Sequence, residues 1–193
     1  MPRLDVRRLQ RSYPDGQLPW AIKKLCEYQE NYQHYEYAGE FILDEGAVDF
    51  LDDLPHKDAF AGFGTDATGS VFAHWSGSIE SLTAQSIERC PIVYLDSEAV
   101  FSSVIASDFG DFIELLLLAT DDLGNLAAED EELRAEESTD QVTHFRQWVL
   151  DTFGISVPTE PRNIVRKAKS VHQHAFIDWY RLWQGENPWT PMV

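Results

Sequence analysis

Three stretches of this 193-residue chain hold residue types that can do chemistry. His172-Gln173-His174 offers two imidazoles. On a strand, positions i and i+2 share a face, but on a helix they lie about 200° apart. The surrounding pattern is helical, so the two rings do not converge on one metal ion. His172 flanks the apolar stripe of that helix, and His174 falls on the polar side with Asp178 four residues on. Neither a HExxH nor an HxE…PCxxC zinc signature occurs.

Gly62-Phe63-Gly64-Thr65-Asp66-Ala67-Thr68-Gly69 is rich in glycine. A dinucleotide loop needs GxGxxG opening a helix after a strand. Here Ala67 occupies the third glycine position, and Val71–Trp75 reads as a strand. No helix N-terminus is therefore offered to a phosphate. There is no GxSxG elbow. Cys26 and Cys90 match no CxxC pattern and read as buried thiols. Glu129-Asp130-Glu131-Glu132 lacks the glycine and alternating ligands of a calcium loop. Enzymatic support comes down to His74, Asp66 and Glu98 near strand ends and turns. No catalytic constellation, cofactor site or metal site is expected.

The elements that carry these residues follow from punctuation and periodicity. Residues 1–18 form a loose basic arm broken by the turn tripeptide Pro14-Asp15-Gly16. Pro19 suits the start of a helix. Ile22, Leu25, Tyr28, Tyr32 and Tyr35 then mark one helical face that ends near Gly39. Phe41-Ile42-Leu43 is strand-like, and Ala47 to Leu54 is a short helix stopped by Pro55. Ala59–Gly64 and Thr68–Trp75 flank a hairpin turn. On the second of these strands, Val71, Ala73 and Trp75 share one face, and Phe72 and His74 the other. Pro91–Leu95 and Val100–Ala106 are further strands.

The remainder is helical. Asp108 caps a helix whose Phe109, Phe112, Ile113, Leu115, Leu116 and Leu117 cover most of its circumference. Leu123–Glu137 is an acidic connector. Ser138 with Gln141 fits a capping box, and Val142, Phe145, Trp148 and Val149 form a stripe closed by Gly154. After Pro158 and Pro161, a helix over 161–183 places Ile164, Ala168, Val171, Ala175, Trp179 and Leu182 on one side. It places Arg162, Arg166, Lys169 and Gln173 on another. Strands framed by helices without βαβ alternation indicate an α+β fold with a largely antiparallel sheet.

Composition narrows the function. The chain is 44% hydrophobic and 12% aromatic, enough for a core, with a net charge of −18. Residues 1–24 hold six bases against two acids, and residues 161–193 five against two. Residues 25–160 hold four bases against 29 acids, a local charge of −25. Nucleic-acid binders carry basic footprints, so this balance argues against them. It also argues against anionic membrane surfaces. It favours a cationic partner. No apolar run follows the N-terminal arginines, and Leu115–Ala119 is far shorter than the ~20 residues of a membrane span. A soluble, cytoplasmic protein is expected.

One ordered set of motifs is specific. Phe63-Gly64-Thr65-Asp66-Ala67-Thr68-Gly69-Ser70-Val71-Phe72-Ala73-His74-Trp75 precedes Pro91-Ile92-Val93-Tyr94-Leu95-Asp96-Ser97-Glu98-Ala99. Val104-Ile105-Ala106-Ser107-Asp108-Phe109 then leads into Asp111-Phe112-Ile113-Glu114-Leu115-Leu116. Over about residues 59–119 this resembles the SUKH superfamily, the Smi/Knr-type proteins. Their pattern is a glycine-flanked hairpin ending in Trp, a P-I-V-x-L-x-S-E-G strand, and a helix with x-F-x-x-F-L-x-L-L. Ala99 stands where the family usually has Gly, and residues 1–58 match only a helix and a short strand in order.

The resemblance implies an α+β fold with a curved antiparallel sheet surrounded by helices. To it this chain adds a helical C-terminal extension. The expected organisation is a basic arm at 1–18, the SUKH-like domain at 19–153, and a linker, basic helix and tail at 154–193 packed on it. The resemblance also implies a non-enzymatic role. Bacterial members are chiefly immunity proteins that neutralise polymorphic toxins, often nucleases, and fungal members are regulatory scaffolds. The expected partner is a cationic toxin domain. Candidate contact residues are the acids Asp66, Asp96, Glu98, Asp121 and Asp122 near turns and the acidic connector, with Trp189 in the proline-rich end.

Overall fold

A computed structural model describes residues 4–32, 38, 41–54, 56–77, 80–97, 102–120, 123 and 139–184. Among these, five strands form an open, wholly antiparallel sheet whose spatial order follows the chain. They are β1 (Ile42–Leu43), β2 (Phe60–Thr65), β3 (Val71–Trp75), β4 (Ile92–Leu95) and β5 (Ser102–Ala106). The helices are α1 (Val6–Leu9), α2 (Trp20–Tyr32), α3 (Gly46–Asp52), α4 (Ala84–Ile87), α5 (Phe109–Leu116), α6 (Asp140–Phe153), α7 (Pro161–Ala168) and α8 (His174–Gln184). The α+β architecture expected from the sequence is present.

The period-2 pattern of β3 organises both faces of the sheet. Phe72 joins one buried cluster with Phe41, Phe63, Tyr94, Phe109, Phe112 and Phe145, contributed by the sheet and by helices such as α5 and α6. Val71, Ala73 and Trp75 join a second cluster with α3 and Phe176 of α8. Helices therefore cover both faces, and every residue of β3 is buried.

The glycines of β2 serve this packing. A Cβ on Gly62 would sit 2.7 Å from Leu51 Cδ1 and 3.0 Å from the Ala47 carbonyl oxygen, so α3 rests directly on the strand. A Cβ on Gly64 would collide with the Phe41 ring and lie 2.6 Å from the Ile42 carbonyl oxygen. Between them the β2–β3 register shifts, as at a bulge, which bends the strand. Thus the glycine-rich string is a packing device on a strand, with no helix N-terminus after it.

Several expectations shift in detail. The N-terminal arm is docked, not loose: Leu9 is fully buried and Tyr13 is 4% exposed. Apolar residues within a basic stretch found core sites, which charge counting alone did not show. Asp108 caps α5, accepting from the Asp111 N–H at 2.9 Å. The cap of α6 is Thr139, one residue beyond the expected Ser138, and it accepts from the Val142 N–H. Gly154 closes α6 with φ +71°.

The last helix departs most. A π-helical turn at Lys169–Gln173 separates α7 from α8. Such a turn inserts an extra residue and rotates everything after it. Ile164, Val165 and Ala168 are buried as a stripe, but the next buried residue is Phe176. Val171 is 64% exposed, and Ala175 is exposed. The same rotation turns Gln173 from the expected polar side onto the outer strand β5. Its Oε1 accepts from the Val104 N–H at 2.8 Å and from the Ser103 hydroxyl at 3.1 Å. At the opposite side of the described sheet, Gln29 of α2 accepts from the Leu43 N–H (3.1 Å) and donates to its carbonyl (2.9 Å). A helix-borne glutamine thus satisfies backbone groups on each outer strand.

Gly64→Ala is expected to lower stability by about 3 kcal/mol, because neither a ring nor a backbone carbonyl can yield cheaply. Urea denaturation checks this, and a loss below about 0.5 kcal/mol would contradict the packing role. Gln173→Ala is expected to cost about 1 kcal/mol and to raise self-association in light scattering, since it uncovers an edge. An unchanged midpoint and an unchanged scattering signal would count against that seal.

Candidate functional site

The meander brings the turn after β2 and the turn after β4 to one rim of the sheet. Asp66 and Asp96, distant in sequence, both lie there. The rim is built by side chains that bind backbone. Asp66 Oδ1 accepts from the Thr68 N–H (2.9 Å), the Thr68 hydroxyl (2.7 Å) and the Ser70 N–H (3.0 Å). Its Oδ2 accepts from the Tyr94 hydroxyl at 2.8 Å. Gly69, with φ +83°, lets the chain reverse.

Ser97 ties this turn to the next one. Its N–H donates to Ser70 Oγ (3.1 Å), and its hydroxyl donates to the Thr68 carbonyl (3.2 Å). Burial pushes the Tyr94 hydroxyl up to about 12, and the neighbouring Asp66 carboxylate adds to the rise. Tyr94 therefore remains a donor throughout the neutral range.

Asp66 is thus a staple of the rim, with both oxygens occupied internally. Asp96 is half-buried beside Ser97, as Asp66 is on its own turn. Glu98, Asp121, Asp122 and Trp189 lie outside the described residues, as does Ala99. Residue counting missed Thr68, Ser70, Tyr94 and Ser97, which form the staple with Asp66. The available signal was the run of hydroxyls around one aspartate, a known turn chemistry.

A second acidic edge follows β1. Asp44 accepts from the Gly46 N–H (2.9 Å) and the Thr65 hydroxyl (3.2 Å). Asp49 pairs with Arg8 of α1, and Asp52 with Lys57 at 2.8 Å. Of the C-terminal bases, Lys167 meets Asp111 of α5 at 3.3 Å, whereas Arg162 and Arg166 are exposed.

His74 is not brought to Asp66. It lies four residues beyond the turn on β3, about 13 Å of strand away. It is fully buried, stacked on Phe109 at 5.4 Å and tilted against Phe63 at 5.2 Å. Burial drives its pKa down to about 3, with the backbone of Cys90 and Ile87 opposing this. A ring so placed stays uncharged at neutral pH.

His172 and His174 stand apart, the first on the π turn and the second paired with Asp178 at 2.8 Å. Among the described residues, no group of three or more His, Cys, Asp or Glu is placed to hold a metal ion. Cys26 and Cys90 are free thiols, and burial pushes Cys26 up to about 12. No described helix is long and apolar enough to cross a membrane. In comparisons with family models, curated proteins and solved structures, nothing matches this chain.

Tyr94→Phe is expected to cost about 1 kcal/mol, and Asp66→Ala about 2–3 kcal/mol, because the second removes a charged acceptor of several bonds. The double variant should cost less than the sum, since both act on one bond. Urea titration of the four proteins measures the coupling. Strict additivity would contradict the staple.

Proposed function

We propose that this protein is a non-enzymatic protein-binding domain of the immunity type, which neutralises a polymorphic toxin, a nuclease among the candidates, through an acidic surface. The observation that carries this reading is the concentration of charge: 29 acids against four bases over residues 25–160. A nuclease presents a basic groove to its substrate, and a carboxylate-rich surface complements that groove. The ordered motifs over residues 59–119 support the same reading through their resemblance to SUKH proteins. Within the rim, Asp66 shapes the surface and Asp96 faces the partner, with Glu98, Asp121, Asp122 and Trp189 as further contacts. A regulatory scaffold of the Smi/Knr type is the second reading, because the same motif order covers those proteins too. A toxin gene beside this one favours the first, and an isolated locus the second.

The test is binding to the catalytic domain of a toxin encoded beside this gene, together with rescue of cells expressing it. The expected result is rescue, with association rates that fall at least tenfold between 50 and 300 mM salt, as steered encounters do. Absence of binding and rescue, or salt-independent association, would contradict the reading.

A further inference from the structure

We propose that residues 4–18 form an acid-sensitive flap, closed over His74 at neutral pH and released when that imidazole takes up a proton. The inference is independent of the toxin reading.

The flap closes one side of a buried aromatic box. Tyr13 is 4% exposed and meets the His74 ring edge-on, with centroids 6.1 Å apart. Phe63 of β2 and Phe109 of α5 hold the ring from other directions. Neither ring nitrogen of His74 has a hydrogen bond of ordinary geometry, and the buried Tyr13 hydroxyl has none either. The backbone of Cys90 and Ile87 favours a second proton on the ring, but burial outweighs it, so that proton would create a cation the closed site disfavours.

The groups facing it offer little relief. The flap brings Tyr13, whose pKa burial raises well above its ordinary value. The segment between α4 and β4 brings Cys90, also raised by burial. Cys26 and Glu88 stand behind Tyr13, and Glu88 is engaged with the Ala21 N–H at 2.8 Å. β2 brings Phe63 and the register neighbour Ala61, α5 brings Phe109, and β4 brings the register neighbour Ile92.

Of the elements around His74, the flap is the one that can leave. β2, β3 and β4 are locked in ladders, and α5 is rooted in the core. The flap is tied to the body by Leu9 and Tyr13, with Leu4, Val6 and Leu18 half-buried against the same core, by the exposed Arg8–Asp49 pair and by the Asp5 N–H to Glu45 at 3.3 Å. Exposed pairs of this kind hold weakly. Near the end of the flap, before α2, the chain turns at Asp15 and Gly16, both with positive φ. The flap also carries Arg7, Arg8 and Arg11, so a cationic His74 repels it.

The direction of the pH effect follows from linkage. Closed, the ring has a pKa of about 3, whereas a solvated histidine sits near 6.5. Above about 6.5 both states are neutral and the flap is at its tightest. As pH falls from about 6.5 toward 3, the open state binds a proton that the closed state refuses, and closure weakens. From pH 7.5 to pH 5.0 the opening constant rises by up to about 30-fold, the limit reached if the open ring is fully solvated.

Hydrogen exchange of the full chain at these two pH values, corrected for intrinsic rates, reads this directly. The amides of residues 6–13 are expected to open at least fivefold and up to about 30-fold more at pH 5.0, while those of β3 and β4 stay protected. In His74→Phe the rise in the flap should shrink below about threefold. No rise in the wild-type protein would overturn the proposal. So would an equal rise across β3 and β4, which means global unfolding, or an undiminished rise in the variant. The wild-type comparison decides even if the variant does not fold.

Discussion

The burial of β3 on both faces is the constraint on which the rest depends. Val71, Ala73 and Trp75 need one apolar layer, and Phe72 with His74 needs another. One helical layer cannot satisfy both, so the chain must supply helices to each face. The α5 and α6 side meets the need of Phe72 and His74 through phenylalanine. That of Val71, Ala73 and Trp75 is met by α3, which approaches only because Gly62 has no side chain, and by α8. Trp75 closes that outer layer against Phe176 at 5.2 Å and Trp179 at 5.9 Å. The C-terminal helices are therefore part of the same folding problem as the sheet.

That arrangement leaves the rims and helix exteriors as the surfaces open to partners. The outer strand β5 is occupied by Gln173, and Leu43 of β1 by Gln29. Recognition by strand addition would have to displace these amides. On α3, Asp49 and Asp52 stay about half exposed even within their ion pairs. Their negative charge is local to the body of the protein, which gives the partner-binding reading its direction.

Much of this was legible in residue patterns. The two faces of β3 followed from alternation, the hairpin from Asp66 to Gly69, and the ends of α5 and α6 from Asp108 and Gly154. The π turn was not legible, because 3.6-residue periodicity assumes an unbroken helix. A single inserted residue moved Val171 to solvent and Gln173 to the sheet. The docked arm was hidden for another reason: Leu9 and Tyr13 sit among arginines, and only tertiary contacts reveal their burial. The site was half legible. Turn signals put Asp66 and Asp96 beside turns, but sequence does not say that the meander brings those turns to one rim, nor that Asp66 is consumed by its own turn.

The central claim is that Asp96 recognises the proposed partner while Asp66, held by its own turn, shapes the surface. Association rates with the toxin domain at low salt, for Asp96→Lys and Asp66→Asn side by side, test it most directly. The account predicts that Asp96→Lys slows association by about tenfold, whereas folded Asp66→Asn associates within twofold of the unaltered protein. Equal slowing by both, or by neither, would contradict it.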